Sequence, residues 1–158
     1  MRDSIKKGFS YGVTSGVITT LGLMVGLNSS THSQLVVIGG VLTIAIADAL
    51  SDALGIHVSI EAENKYSHKE VWESTIAAFL AKFLFALTFL APILVFQLST
   101  AIVVSIIWGM SLLAISSYYL AQKNKMSPWK SLVEHLSLAL IVIVITYYLG
   151  IWISTTFA

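Results

Sequence analysis

Long apolar stretches alternate with short polar clusters along the whole chain. A helix that crosses a bilayer needs about 20 mainly apolar residues. Five stretches approach or exceed that length, at residues 10–27, 35–60, 71–96, 100–120 and 132–155. Because a helix satisfies its own backbone hydrogen bonds, it suits the membrane interior. The pattern therefore predicts an all-α membrane protein with five transmembrane helices, in which residues 1–158 form a single transmembrane domain.

Composition supports this class and removes others. Of the 158 residues, 56% are hydrophobic and 11% are charged, whereas soluble domains carry about 25% charged residues. The sequence therefore excludes a soluble enzyme domain. The net charge of +1 provides no field that would attract a polyanion, so no nucleic-acid partner is expected. The chain has no cysteine, which excludes disulfides, thiolate metal sites and a cysteine nucleophile.

The basic residues predict the orientation of the spans. Eight of the nine precede the first span or lie in the second–third and fourth–fifth connections: Arg2, Lys6, Lys7, Lys65, Lys69, Lys123, Lys125 and Lys130. The loops on the opposite side carry none. Basic residues concentrate on the cytoplasmic side of membrane proteins. We therefore expect a cytoplasmic N-terminus and a C-terminus on the outer side.

Two aspartates within the second span indicate a cation path. Asp48 and Asp52 are one helical turn apart, and Ser51 lies between them. Ionisable groups inside a membrane are costly and usually functional. Carboxylate and hydroxyl oxygens suit hard cations such as Mg²⁺, Ca²⁺, Mn²⁺ and Fe²⁺, and carboxylates also carry protons. A purely structural role in helix packing is the alternative.

Lys82 is predicted to be the charge partner of Asp48. It lies about 11 residues into the third span, hence near the middle of the bilayer at 1.5 Å per residue. At that depth its ammonium group does not easily reach the membrane surface. A structural ion pair and a role in transport both remain open.

Two further groups of residues are candidates, one for a metal or proton site and one for close helix packing. A possible cytoplasmic metal or proton site comprises His57, Glu61 and Glu63, which Glu134 and His135 could join; ordinary solvated side chains are the alternative. The glycines of the first span allow neighbouring helices to approach closely. They are Gly8, Gly12, Gly16, Gly22 and Gly26, and their spacing fits either packing within one chain or a dimer interface.

Two segments resemble the vacuolar iron transporter family. The first is SGVITTLGLMVGL at residues 15–27, which resembles the family's first-helix signature of Asn-Asp-Gly, a Val/Thr-rich stretch and Gly-Leu-x-x-Gly. The second is ADALS at residues 47–51 with Gly55 and Ser59, which resembles Ala-Asp-Ala-Leu-Ser-Met-Ala-x-Gly-Glu-Tyr-x-Ser in the second helix. The resemblance is specific over about residues 8–64.

The resemblance implies a transporter rather than an enzyme. Members of the family exchange Fe²⁺ or Mn²⁺ for protons and work as homodimers, with ions passing near the first helices. By this resemblance the expected partners are the lipid bilayer, a second copy of the chain, divalent cations and protons. The metal is expected as substrate, with no permanently bound cofactor. The short loops and small size favour a prokaryotic cell membrane.

The chain departs from the family at several positions. Ser15 stands where the family has aspartate, Asp52 where it has methionine, and Ile56 where it has glutamate. The cytoplasmic domain is reduced to a linker at residues 61–70. These departures leave a second hypothesis open, a non-transporting membrane scaffold or accessory subunit that keeps the fold. A membrane-embedded enzyme is not expected, because the chain lacks His-rich metal boxes, a Gly-x-Ser-x-Gly elbow and a phosphate-binding loop.

Overall fold

The computed structural model describes residues 2–123 and 125–157, and its regular elements are helices. Five helical segments are long and apolar enough to cross a membrane. They contain α1 (Asp3–Thr31); α2 (Gln34–Thr43), a π-helical turn (Ile44–Asp48) and α3 (Ala49–Ala62); α4 (His68–Thr88) and α5 (Leu90–Val95); α6 (Leu98–Lys123); and α7 (Pro128–Phe157). The predicted all-α class with five spans is confirmed, while the orientation of the termini stays a prediction.

The helices extend beyond the predicted apolar stretches at most of their ends. The first begins at Asp3 instead of residue 10, and the fifth begins at Pro128 instead of residue 132. Hydropathy marks only the part of a helix that lies in hydrocarbon, whereas the helical backbone continues into the polar interface. The third span begins at a capping box, in which Ser67 and Glu70 each bond the backbone of the other.

Helix α1 lies at the centre of the bundle and packs against α2, α3, α4, α6 and α7. Its residues Val17, Leu21 and Met24 are fully buried in the main apolar core. The outward surfaces of the other spans carry large exposed apolar side chains, such as Leu54 and Ile145. Exposed apolar residues on spanning helices are expected to face lipid.

Three glycines bring α1 and α4 into close backbone contact. A Cβ atom added at Gly8 would lie 2.1 Å from the carbonyl oxygen of Ser74, and one at Gly12 would lie 2.4 Å from that of Ala78. At Gly16 the nearest atom would be the Cα of Lys82, at 3.1 Å. A side chain at Gly8 or Gly12 would therefore force the two helices apart.

The other two predicted packing glycines face α7. A Cβ at Gly22 would lie 2.7 Å from Val142 Cγ1, and one at Gly26 would lie 3.5 Å from Thr146. Both alternatives, packing within the chain and a dimer interface, were compatible with the spacing of these glycines. The structure places all five against helices of the same chain, as expected for packing within the chain.

Two spans contain an interruption of the α-helical hydrogen-bond pattern. In the third, α4 ends at Thr88 and α5 begins at Leu90. Thr88 lies four residues before Pro92, whose missing N–H and ring oppose a regular helix at that point. In the second, the π-helical turn ends at Asp48. Such turns occur frequently at functional sites.

Candidate ion site

The ammonium group of Lys82 lies at the centre of a polar cluster between three spans. Its side chain is fully buried, and its Nζ is 2.5 Å from Asp48 Oδ2. It also donates to Ser15 Oγ at 3.0 Å and to Asp52 Oδ2. The structure thus contains the contact with Asp48 that the sequence predicts, and adds a contact with Asp52 that it does not.

The hydrogen bonds around Asp52 connect α1 to the second span. The Ser15 hydroxyl donates to Asp52 Oδ2 at 2.5 Å while it accepts from Lys82. The Tyr11 hydroxyl donates to Asp52 Oδ1 at 3.3 Å. Tyr11 is a site residue that sequence reasoning missed, although it lies one helical turn before Ser15 and therefore on the same face of α1.

The carboxylates of Asp48 and Asp52 differ in their hydrogen bonds and in their exposure. Asp52 is hydrogen-bonded by three side chains, and its own side chain is 19% exposed. The side chain of Asp48 is 35% exposed. Within the described residues, its buried Oδ2 meets Lys82 as an ion pair without the geometry of a hydrogen bond. Asp48 is therefore the less constrained of the two.

Small residues allow the three helices to meet at this cluster. Gly16 leaves room for the Lys82 side chain, whose Cγ would lie 3.2 Å from a Cβ at that position. On the second span, Ala49 and Ala53 are buried in the stripe that faces the bundle. Their small size lets the spans approach closely, and the aspartates reach Lys82 from the flank of this stripe.

The charges of the cluster favour cations. Two ionised carboxylates and one ammonium leave a formal charge of −1 in a region of low dielectric, where charge interactions are strong. Asp48, Asp52, Ser15 and Tyr11 supply oxygen atoms, which hard cations prefer. The described residues contain no group of three His, Cys, Asp or Glu side chains placed to hold a metal. A cation here would therefore need hydroxyl or water ligands beside the carboxylates.

Ser51 does not lie with the other predicted path residues. It is exposed on the outer surface of α3, together with Gly55 and Ser59. Ser51 therefore takes no part in the hydrogen bonds of the Lys82 cluster, and its place in the ion path stays a prediction. Residues on one broad helix face differ by up to 100° in direction, and the packing of Ala49 and Ala53 turns Ser51 outward.

The predicted cytoplasmic set is not assembled into one site. His57 Nδ1 lies 2.9 Å from Thr75 Oγ1 of α4, and His135 Nδ1 lies 2.9 Å from Ser117 Oγ of α6. Glu61 and Glu134 are exposed side chains on α3 and α7. Glu134 and His135 lie on a different helix from His57 and Glu61, and a shared side of the membrane does not determine the distances between them.

Glu63 has a structural partner set instead. Its carboxylate pairs with Lys65 at 2.6 Å and with Lys7 at 2.5 Å. Hydrogen bonds from the Lys65 and Lys7 ammonium groups hold the pKa of Glu63 below its ordinary value. These contacts connect the start of α1 to the linker between the second and third spans.

A bundle of five long apolar helices around a buried polar cluster defines an integral membrane protein. A family model described as the VIT family matches residues 7–73, and this match supports membership of the VIT family. Comparison with curated proteins gives no match. The family indicates membrane transport of metal ions rather than enzyme catalysis. The matched range includes Tyr11, Ser15, Asp48 and Asp52 but ends before Lys82.

Proposed function

We propose that the protein transports divalent metal cations across a prokaryotic cell membrane, with Asp48 and Asp52 as the principal ligands. The observation that carries the proposal is the convergence of their carboxylates and the Ser15 hydroxyl on one buried ammonium group. These oxygen atoms already surround a cation, that of Lys82. The metal is the substrate of this site and no permanent cofactor is required.

Lys82 and the transported cation compete for the same oxygen atoms. With Lys82 in place, the formal charge of the cluster is −1. When its ammonium moves away, the two carboxylates match the charge of one divalent cation. Because Asp48 is more exposed and makes no hydrogen bond to Lys82 through Oδ2, it is the first carboxylate that an entering cation meets.

The ligand set favours hard cations. Asp52 stands where the vacuolar iron transporter signature has methionine, whose thioether is a soft ligand. A carboxylate at this position shifts the metal preference toward Mn²⁺, Mg²⁺ or Ca²⁺ relative to Fe²⁺. Carboxylates in a membrane also carry protons. The proposed cycle therefore exchanges the metal for protons at Asp48 and Asp52, as the family resemblance suggests.

Metal flux into proteoliposomes tests this function. Vesicles would contain a metal-quenched dye and receive Mn²⁺, Fe²⁺ or Mg²⁺, with and without a pH gradient. We expect Asp48→Asn and Asp52→Asn each to lower the initial rate about 10-fold or more, since losing a charged ligand costs about 1.5–3 kcal/mol. Glu61→Gln, at an exposed acid on the same span, is the matched control and should keep the wild-type rate.

A non-transporting scaffold is the second candidate function. It is favoured by the contacts of Lys82, whose ammonium group donates hydrogen bonds to Ser15 and Asp52 and forms an ion pair with Asp48. The absence of flux for every metal, in vesicles whose protein is folded, would select this alternative. Flux that is unchanged in both aspartate variants would contradict the proposed site while leaving transport itself intact.

We further propose a homodimer, formed through an exposed stripe of small residues on the second span. The stripe repeats every four residues: Gly39, Thr43, Ala47, Ser51, Gly55 and Ser59. Such a stripe slowly rotates around a regular α-helix of 3.6 residues per turn. The wider π-helical turn at Ile44–Asp48 rotates less per residue and counteracts part of that rotation. A Cβ at Gly39 or Gly55 meets no other described residue within 4 Å, so the chain leaves room there for a second copy.

Gly55→Leu is expected to weaken the dimer at least 10-fold without unfolding the protomer. Leucine would block close approach of two helices, whereas Gly55→Ala keeps the stripe small. Dimer fractions can be measured by single-molecule photobleaching in liposomes. Ala91→Leu adds the same bulk on an exposed surface of α5 and serves as control. Equal dimer fractions in Gly55→Leu and Ala91→Leu would place the interface elsewhere.

A further inference from the structure

The basic residues of the chain divide into two groups by their partners. Six of the nine have an acidic group within 4.0 Å: Arg2, Lys6, Lys7, Lys65, Lys69 and Lys82. Within the described residues, the other three have no such partner, and they are Lys123, Lys125 and Lys130. All three lie in or next to the connection between α6 and α7, which we call the α6–α7 corner (residues 118–134).

The α6–α7 corner also exposes aromatic and apolar side chains. Trp129 is 72% exposed and Tyr119 is 62% exposed. The Nζ of Lys123 lies 5.3 Å from the centre of the Tyr119 ring. Trp129, Lys130, Val133 and Glu134 line a shallow hollow of about 560 Å³. The corner thus combines three lysines, set against the single carboxylate of Glu134, with large amphipathic side chains at the ends of two spans.

The position of Lys130 favours an external anionic partner. It lies in the first turn of α7, which begins at Pro128. The N-terminal end of a helix carries partial positive charge and disfavours a cation, so the helix itself does not stabilise this ammonium group. The same end favours an anion. A phosphate group here would meet both the lysine and the helix end.

We propose that the α6–α7 corner binds the phosphate headgroup of an anionic phospholipid. Trp and Tyr side chains are enriched at the membrane–water interface, and basic clusters next to spanning helices attract anionic lipids. The exposed Trp129 and Val133 belong among lipid headgroups and upper acyl chains. A soluble phosphate would leave these apolar surfaces in water, which favours the lipid as the occupant.

The linker between the second and third spans provides an internal comparison. It lies at the same end of the bundle and also carries lysines, but Lys65 pairs with Glu63 and Lys69 with Glu73. Because each of them has a carboxylate within 4.0 Å, which Glu63 shares with Lys7 and Glu73 with Arg2, they should contribute less to lipid binding. Lysines on the same side of the membrane are therefore expected to differ in lipid binding according to whether they have an acidic partner.

Lipid-dependent melting tests the proposal in the detergent-purified full chain. We expect added phosphatidylglycerol to raise the melting temperature of the wild type and of Lys6→Gln/Lys65→Gln/Lys69→Gln. In Lys123→Gln/Lys125→Gln/Lys130→Gln the increase should fall by at least half. Native mass spectrometry should show a parallel loss of retained phosphatidylglycerol. Phosphatidylcholine should not distinguish the variants, and high salt should reduce the wild-type increase because exposed charges are screened.

Charge-preserving variants separate lipid binding from general damage. Arginine at positions 123, 125 and 130 should keep the phosphatidylglycerol effect, and the single Lys130→Gln variant should lose part of it if the triple variant does not fold. Equal increases in the two glutamine triple variants would overturn the proposal. So would inorganic phosphate that reproduces the full wild-type increase, or retention of phosphatidylglycerol that is unchanged by the corner substitutions.

Discussion

Lys82→Met is expected to destabilise the protein by about 3–5 kcal/mol, the usual cost of breaking a buried ion pair by removing one partner. The lost ammonium is fully buried and contacts Asp48, Asp52 and Ser15. Without it, two carboxylates one helical turn apart would repel each other inside the membrane. Thermal melting followed by size-exclusion chromatography would measure the loss of folded protein.

Removing the carboxylate charges that Lys82→Met leaves without a partner should restore most of that stability. We expect Lys82→Met combined with Asp48→Asn to recover part of the loss, and the triple variant that adds Asp52→Asn to recover most of it. Lys69→Met is the matched control, because Lys69 is exposed and pairs with Glu73 at 4.0 Å; it should change stability by less than about 1 kcal/mol. Equal losses in Lys82→Met and the triple variant would show that the charges are not coupled.

Gly12→Ala should destabilise the protein by about 1–3 kcal/mol or more, the range for overpacking a close interface. The added Cβ would lie 2.4 Å from the Ala78 carbonyl oxygen and 2.9 Å from Ala81 Cβ. A backbone oxygen does not rotate away as a side chain does, so α1 and α4 must separate. Ser15 on α1 would then move away from Lys82 on α4, and metal flux should fall with stability.

Gly55→Ala should instead stabilise the protein or leave its stability unchanged. A Cβ at Gly55 meets no described residue within 4 Å, and alanine favours a helix interior by up to about 1 kcal/mol over glycine. Melting temperatures of the two alanine variants, measured in one detergent, make the comparison direct. A Gly12→Ala protein as stable as Gly55→Ala would contradict the close contact between α1 and α4.

The five spans could be predicted because bilayer thickness and backbone hydrogen bonding leave few options for so apolar a chain. The partner of Lys82 was predictable in part, since a buried ammonium requires an acid nearby. The second contact with Asp52 depends on the length and direction of the lysine side chain between two helices. Sequence spacing on one helix contains no information on that direction.

Ser51 and His57 show that helical periodicity alone does not determine which neighbouring helix a side chain reaches. Ser51 shares a broad helix face with the aspartates, but the contact of Ala49 and Ala53 with the bundle decides which part of the face turns outward. His57 lies nine residues after Asp48, hence on the opposite side of a regular helix, yet it too reaches α4 through Thr75. The two side chains approach α4 from opposite flanks of the same buried stripe.

The central claim is that Lys82 occupies the position of a transported cation between Asp48 and Asp52. Melting of Lys82→Met with and without Mn²⁺ tests it most directly, because a ligand that binds the folded state stabilises it. We predict that Mn²⁺ raises the melting temperature of Lys82→Met more than that of the wild type, and not that of the variant which also carries Asp48→Asn and Asp52→Asn. The same increase in all three proteins would contradict the claim.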